Sequence, residues 1–196
     1  VPADEASWGV FHEVDKRNEV VLKQILEAAG KQPRGELHRK LGDFYATGMD
    51  EAAIEALGAK PLAEELARID ALTEVAGLPA LLAHLHAVGA GGLFGIGSNA
   101  DLTDASQTIL FVAQDGMGLP EKDYYLRDDA ESVELRKQYE AHVARMLGLL
   151  GESPADAAVH ATTVLALETE LARASLGAVQ FRDPQNLLNK ITGADA

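Results

Sequence analysis

Residues 135–150 read LRKQYEAHVARMLGLL, and this stretch decides the fold because its apolar side chains recur with the period of an α-helix. The first apolar stripe consists of Leu135, Tyr139, Val143, Met146 and Leu150. A second stripe follows at Val164, Leu167, Leu171 and Ala174. Residues three or four apart share one face of a helix. The two stripes therefore predict two long helices in the C-terminal half of the chain.

Helical spacing also dominates the N-terminal part of the chain. A first long helix is predicted from an apolar face made of Phe11, Val14, Val21, Leu22 and Ile25, and Gly30 can end it. A second helix is predicted from Pro33 to Ala46, with Gly48 in the stop position. Asp50 is predicted to cap a short helix over 51–57, because its carboxylate can accept from the free N–H groups of the first turn.

Four further helix starts and one change of pattern complete the predicted elements. Apolar spacing over 62–72 and 78–88 predicts two helices, and Ser153 and Asp183 each precede a proline that suits the first helical position. Residues 93–97 and 108–113 are β-prone and flank the polar stretch SNADLTDASQ. We therefore predict a mainly α, multi-helical fold with a small β-hairpin, as one unit over residues 1–196.

Composition limits the partners that this chain can have. Its 31 acidic and 17 basic residues give a formal charge of −14, which repels nucleic acid and anionic membrane surfaces and weakly favours cationic peptides. Cysteine is absent, so disulfides and thiolate metal sites are excluded. No apolar run approaches the roughly 18 residues of a membrane helix, so no membrane segment is predicted. Both ends look arbitrary, so we expect the chain to be part of a longer protein.

Metal and nucleotide motifs are incomplete. The stretch from His12 to Lys16 begins like HExxH, but a lysine stands where the second imidazole is needed. His84 and His86 are two residues apart and therefore point to different sides of a helix. Glu152 and Asp156 resemble an ExxxD motif, but Ser153 between them marks a loop and a helix cap. The glycine-rich stretch over 89–97 lacks the Lys-Ser/Thr of a phosphate loop, so hairpin geometry explains it better. The sequence predicts no self-sufficient active site.

Five ordered blocks carry a family resemblance over nearly the whole chain. They are VPAD (1–4) with Ser7, Trp8, Gly9 and Phe11; DFY (43–45) with MDEAAI (49–54) and LGAKPL (57–62); 109–114 leading to LPEKDYYL (119–126); LETELA (167–172); and RDP (182–184) with Asn189 and Lys190. This series resembles the N-terminal helical domain of the neprilysin-like zinc metallopeptidases, which include bacterial oligopeptidase O.

The resemblance implies half of a bilobal peptidase. Its Zn²⁺ would be bound by a C-terminal catalytic domain that carries HExxH and ExxxD, and this chain contains neither. The expected partners are peptide substrates and that catalytic domain or fragment. We therefore expect the complete protein to be a zinc metalloendopeptidase and this chain alone to be inactive. The alternative is a stand-alone helical module that binds peptides or proteins. A bacterial periplasmic or secreted location is expected, and a cytoplasmic one stays open.

The resemblance also implies substrate-binding residues at the start of the first helix. Phe11 matches a family aromatic near the pocket for the side chain after the scissile bond, and Trp8, Ser7 and His12 adjoin it. Ser7 stands where some members have an arginine that binds a terminal carboxylate, which predicts a more endopeptidase-like preference.

Other motif residues are expected to support the scaffold. In LPEKDYYL, Pro120 is expected to set a turn, while Tyr124 and Tyr125 bury their rings and tether their hydroxyls. Arg182 and Asp183 are expected to form an ion pair.

Overall fold

A computed structural model describes residues 7–192 of the chain. These residues fall into two compact units, of which the first extends to Pro61 and the second begins at Leu62. The VPAD block at 1–4 lies outside the described residues. The mainly helical fold with one antiparallel hairpin is confirmed. The assignment of residues 1–196 to one non-catalytic domain segment stays a prediction.

The first unit is built on two helices that approach closely through small residues. They are α1 (Val10–Lys31) and α2 (Glu36–Met49). Ala29 is buried between them, and a Cβ atom on Gly42 would lie 2.6 Å from its carbonyl carbon. Gly30 faces the same contact and stays helical, so it does not end α1 as predicted. Gly48 likewise lies inside α2.

A short third helix closes the first unit as the sequence predicts. It is α3 (Glu51–Leu57), and the Oδ1 atom of Asp50 accepts a hydrogen bond of 3.0 Å from the backbone N–H of Ala53. Gly58 follows with φ +53, a left-handed conformation that glycine adopts without steric cost. Local capping chemistry therefore sets both ends of this element.

The second unit starts with two short helices and the hairpin. They are α4 (Ala63–Asp70), α5 (Leu78–Ala87), β1 (Phe94–Ala100) and β2 (Thr108–Gln114). The strands are antiparallel, with Phe94 opposite Gln114 and Ala100 opposite Thr108. β1 therefore extends three residues into the predicted polar loop, because pairing with β2 satisfies its backbone whatever its side chains are. Gly89, Gly91 and Gly92 precede it with positive φ, which confirms the backbone role of the glycine-rich stretch.

Helices dominate the rest of the second unit. They are α6 (Asp123–Leu126), α7 (Ala130–Leu149), α8 (Pro154–Ala174) and α9 (Ala178–Phe181). Ser153 caps α8 as predicted, since its side chain accepts from the backbone N–H of Asp156. Asp183 also caps, but the element is a 3-10 turn, Pro184–Leu187. Its carboxylate accepts from the N–H of Gln185 in place of the predicted pairing with Arg182.

The buried face of α8 differs from its predicted apolar stripe. The most buried residues of this helix are Ala157, Ala161, Glu168 and Ala172. Leu167, a member of the predicted stripe, is 55% exposed. α8 contacts α7, and three of its four buried residues are alanines, so its most buried face is not the predicted stripe.

Candidate functional site

Three of the four predicted substrate-binding residues lie together at the start of α1. The rings of Trp8 and His12 stack with centroids 5.8 Å apart. The Oγ atom of Ser7 lies 3.3 Å from Nε2 of His12, and Nε1 of Trp8 donates to Oε1 of Glu13 over the same distance. The Nζ atom of Lys16 lies 5.4 Å from the centre of the Trp8 ring, within cation–π range. We call Ser7, Trp8 and His12 the N-terminal cluster.

Phe11, the fourth predicted residue, stands on the same helix with its side chain 85% exposed. It makes no ring contact with Trp8 or His12 among the aromatic contacts of the described residues. The side chain therefore does not pack into the core of the described unit. An exposed phenyl ring beside an amphipathic indole can contact an apolar peptide side chain, and such a role for these four residues stays a prediction.

The histidines that the sequence raised as metal ligands have other partners. Nε2 of His84 lies 2.7 Å from Oε2 of Glu65, and the ring of His86 packs against Phe94 with centroids 5.0 Å apart. Glu152 contacts Nδ1 of His160 at 2.9 Å. Within residues 7–192, no three His, Cys, Asp or Glu side chains are grouped so that they could hold a metal ion. The described donor set does not fit zinc.

The LPEKDYYL block forms the centre of a buried hydrogen-bond network. Tyr125 is buried, and its hydroxyl donates to Oε2 of Glu168 at 2.7 Å while accepting from the backbone N–H of Leu119 at 2.8 Å. Tyr139 on α7 donates to the other oxygen, Oε1 of Glu168, at 2.9 Å. The carboxylate therefore joins α6, α7 and α8. We call Tyr125, Tyr139 and Glu168 the tyrosine–glutamate network.

The tyrosine–glutamate network has a clear electrostatic signature. Burial raises the pKa of Tyr139 to about 12, and its hydrogen bond to Glu168 acts in the same direction. Burial and the bond to Glu168 also raise the pKa of Tyr125 well above its ordinary value. Both phenols are thus held as neutral donors at physiological pH. They tether α6 and α7 to Glu168 of α8.

Glu168 is the residue of this network that the sequence did not reveal. It stands in the LETELA block (167–172), and Ala161 and Ala172 lie seven before and four after it on the same helix face. That spacing was the available signal, because a glutamate within a stripe of small residues must be buried if the stripe is. A buried carboxylate needs hydrogen-bond donors, and the two tyrosines supply them.

Other bonds around LPEKDYYL fix the loop that carries it. Nζ of Lys122 donates to the carbonyl of Ser175 at 2.7 Å, and Nη1 of Arg136 donates to the carbonyl of Tyr124 at 2.8 Å. Tyr124 itself corrects the prediction made for the tyrosine pair. Its side chain is 36% exposed and its hydroxyl takes part in none of the hydrogen bonds described here, because it lies on the solvent side of the single turn α6.

A groove of about 680 Å³ lies between β2 and the segment 186–192. Its walls are mainly apolar and include Ile109, Phe111, Leu176, Phe181 and Leu187. At one end, Nζ of Lys190 contacts both Oδ2 of Asp101 and Oγ1 of Thr103. At the other end, the side-chain amide of Gln114 bonds to both backbone groups of Leu176, at 2.7 and 3.0 Å.

The charges beside this groove neutralise each other. The hydrogen bond from Lys190, together with those from the backbone and hydroxyl of Thr103, holds the pKa of Asp101 well below its usual range. Asp101 is buried and stays ionised, so this contact is a fixed ion pair between the hairpin and the segment 186–192. It holds the segment 186–192 against the hairpin, and Asp101 and Lys190 are the charged residues among the described residues that line the groove.

Comparison with known proteins places the whole sequence in one family. The sequence profile of peptidase family M13 matches residues 1–196. Human endothelin-converting enzyme-like 1 is 30% identical, over 98% of this chain and 26% of its own length. Mouse endothelin-converting enzyme 1 is 29% identical, over 100% of this chain and 26% of its own length. The chain thus spans about a quarter of these curated relatives.

Solved structures give the same relationship. The zinc metalloprotease Zmp1 of Mycobacterium tuberculosis, in complex with an inhibitor, superposes with a TM-score of 0.83 and 34% identity, over 94% of this chain and 28% of Zmp1. PepO of Lactobacillus rhamnosis HN001 superposes with a TM-score of 0.75 and 20% identity, over 92% of this chain and 29% of PepO. At 20% identity, the similarity to PepO shows a shared fold. No described helix is long and apolar enough to span a membrane.

Proposed function

Because the chain belongs to peptidase family M13, we propose that it forms the N-terminal, substrate-enclosing part of a zinc-dependent endopeptidase that hydrolyses peptides. The observation that carries this proposal is the family match over all 196 residues. Zmp1, which superposes over 94% of this chain, is a zinc metalloprotease. This chain corresponds to 28% of Zmp1, so the activity proposed here belongs to the complete protein.

The zinc chemistry of the proposed enzyme lies outside the described residues. A catalytic zinc polarises a carbonyl and supplies an activated water for amide hydrolysis. The residues from 7 to 192 provide no ligand set for it. The part proposed for this chain is to bind and enclose the peptide. An enclosed cavity selects substrates by size, and a charge of −14 favours the approach of cationic peptides.

The N-terminal cluster and Phe11 are the proposed contacts with substrate. Phe11 is exposed and offers an apolar surface, and the stacked rings of Trp8 and His12 offer a flat amphipathic one. Ser7 bears no charge, so a bidentate contact with a terminal carboxylate is absent at that position. Such a contact stabilises binding by roughly 1.5–3 kcal/mol. We therefore propose that cleavage within longer peptides is favoured over cleavage near a free C-terminus.

One experiment tests the peptidase proposal against the stand-alone module. The natural protein is isolated from its source, and its intact mass and complete sequence are determined. A chain or partner fragment that contains HExxH and ExxxD, together with peptide hydrolysis that a chelator abolishes, supports the peptidase. A single species near 20.8 kDa that is encoded by its own gene and binds peptides without cleaving them supports the binding module and defeats the peptidase.

The proposed substrate contacts have their own test in the zinc-loaded complete protein. Matched peptides with free and amidated C-termini are compared for wild type and for Ser7→Arg. We expect nearly equal kcat/KM for the two peptides in wild type and a preference for the free carboxylate in the variant. Lys23→Arg, an exposed basic position in the middle of α1, is the matched control and should leave the ratio unchanged. A strong preference for free carboxylates in wild type contradicts the proposal.

A bacterial periplasmic or secreted location also belongs to the proposal. Fractionation of the source cells with an antibody against this chain tests it. Recovery in the cytoplasmic fraction alone would contradict this location while leaving the peptidase proposal intact.

A further inference from the structure

The junction between β2 and the LPEKDYYL loop contains Asp115 followed by Gly116, the only Asp-Gly or Asn-Gly pair in the sequence. Asp115 is exposed, and its Oδ1 atom accepts a hydrogen bond from the backbone nitrogen of Gly116 at 2.8 Å. Since Oδ1 is bonded to the carboxyl carbon, this contact folds that carbon over the nitrogen that follows it. We propose that Asp115 is a site of spontaneous isomerisation to isoaspartate.

The reaction needs only water and the two residues. The Gly116 nitrogen, having lost its proton to solvent, attacks the carboxyl carbon of Asp115 in its acid form. An N–C bond forms, a C–O bond of the carboxyl group breaks, and one water leaves, which gives a five-membered succinimide. Water then adds to either ring carbonyl and cleaves its bond to nitrogen. One product is the original aspartate, and the other is isoaspartate, in which the chain runs through the former side chain.

The local structure favours this step at Gly116 in particular. Glycine has no Cβ atom to hinder the approach of its nitrogen, and Gly116 has φ +85. A Cβ atom at this position would lie 2.7 Å from the Cα atom of Leu93, so the close contact between the two segments requires glycine here. The packing that keeps Gly116 in place therefore also keeps the unhindered nitrogen beside Asp115.

At a second site, the side-chain oxygen also accepts from the next backbone nitrogen, but the next residue is not glycine. The backbone nitrogen of Ala100 donates to Oδ1 of Asn99, also at 2.8 Å. Ala100 carries a Cβ atom, and it is paired with Thr108 at the end of β1. Strand pairing restricts the peptide rotation that ring closure requires, and the methyl group crowds the attacking nitrogen. Ring closure at Asn99 would release ammonia in place of water, which is the easier reaction at neutral pH. A slower rate at Asn99 in the folded chain would therefore be due to the strand pairing and the methyl group.

Isomerisation at Asp115 would act on the groove beside β2. The adjacent residue, Gln114, bonds through its side chain to both backbone groups of Leu176. Isoaspartate adds a methylene group to the main chain between the Cα atom of residue 115 and the peptide bond to Gly116, which displaces that peptide bond next to Gln114. We expect the bonds to Leu176 to be weakened in the isomerised chain.

The test compares the folded chain with the same chain in denaturant. Both samples are aged at neutral pH and physiological temperature and digested, and isoaspartate is located by electron-transfer fragmentation. We expect isoaspartate at Asp115 to accumulate several-fold faster than at Asn99 in the folded chain. Because the folded geometry holds the two reacting groups together, the rate at Asp115 should be at least as high in the folded sample as in the denatured one. A rate at Asp115 that is many-fold slower in the folded chain shows that the fold protects the site, and it overturns the proposal.

Two variants complete the test. Asp115→Glu keeps the carboxylate but lengthens the side chain beyond five-membered ring closure, so isoaspartate at this position should disappear. Asp128→Glu changes another exposed aspartate, one followed by Asp129, and should leave the rate at Asp115 unchanged. Matching circular dichroism spectra establish that both variants fold like wild type. Persistence of the isomerised peptide at its original rate in Asp115→Glu contradicts the assignment.

Discussion

The α1–α2 pair and the α6–α8 core bury different chemistry. In the pair, contact is made by backbone against backbone at Ala29 and Gly42, while Phe11 and Phe44 remain 85% and 81% exposed. In the core, the tyrosine–glutamate network and Leu119 fill the interior with satisfied polar groups and apolar atoms together. Bulk and hydrophobicity therefore do not by themselves determine which face of a helix is buried. Close approach and satisfied hydrogen bonds locate it here.

The largest expected effect comes from removing the acceptor of the network. Glu168→Ala leaves two phenolic hydroxyls without their acceptor and should lower the free energy of unfolding by about 2–4 kcal/mol. Denaturant unfolding of the 196-residue chain measures this. Glu170→Ala, an exposed position on the same helix, is the control and should change stability by less than about 0.5 kcal/mol. Equal effects of the two substitutions would show that the network contributes nothing.

A somewhat smaller effect is expected at the backbone contact of the pair. Gly42→Ala places a Cβ atom 2.6 Å from the carbonyl carbon of Ala29 and must push α1 and α2 apart. Overpacking of this kind costs about 1–3 kcal/mol. Gly48→Ala in the same helix meets no atom within 4 Å and should stabilise by about 0.5–1 kcal/mol through helix propensity. Thermal unfolding should therefore give a lower melting temperature for Gly42→Ala and a higher one for Gly48→Ala. A higher melting temperature for both variants would show that α1 and α2 can separate at no cost in free energy.

Alkaline pH should weaken the core through its phenols. The pKa of Tyr139 is raised from 10.0 to about 12 in the folded chain, so between these values the unfolded chain has lost a proton that the folded chain retains. The free energy of unfolding should therefore fall as pH rises through this window. When unfolding is measured at several alkaline pH values, the free energy of unfolding of Tyr139→Phe should decline less steeply with pH than that of wild type. Tyr124→Phe removes an exposed phenol and should keep the wild-type slope.

The smallest effect on stability is expected at Phe11. The side chain is exposed, so Phe11→Ala should change the free energy of unfolding by less than about 0.5 kcal/mol. Leu119→Ala, which truncates a buried apolar side chain of the core, should cost about 2–3 kcal/mol by comparison. A cost at Phe11 close to that at Leu119 would mean that Phe11 is part of a packed core. The exposed ring would then not be available to a substrate.

The helices and the hairpin could be predicted because their signals are local. Stripes of apolar residues set α7 and α8, and the caps Asp50 and Ser153 are read within three residues of their partners. The alanines on its helix face indicate that Glu168 is buried, but its partners could not be predicted from local patterns, because they are 43 and 29 residues away in the chain. The position of Gly30 was misread for a related reason. Gly30 lies against Gly42 of another helix, and a glycine in such a contact cannot be distinguished by its local sequence from a glycine that ends a helix.

The candidate site shows the same division. The four residues proposed to bind substrate were identified by family resemblance, and three of them lie together at the start of α1. Their ligand could not be predicted, because the contacts of the N-terminal cluster are made within the cluster and with Glu13 and Lys16 of the same helix. The exposure of Tyr124 could not be predicted for a local reason. Its neighbour Tyr125 is buried, and only the direction of a single helical turn decides which of the two rings faces solvent.

The bonds between Gln114 and Leu176 have a consequence for the order of folding. They join residues that are 62 positions apart, and the contact between Lys190 and Asp101 joins residues 89 positions apart. The entropy lost on closing a loop grows with its length, and bonds of a single side chain offset little of that loss. In contrast, α7 and α8 are joined by a short loop, and their contact buries one face of each helix. The hairpin is therefore expected to be fastened to the rest of its unit last and released first on unfolding.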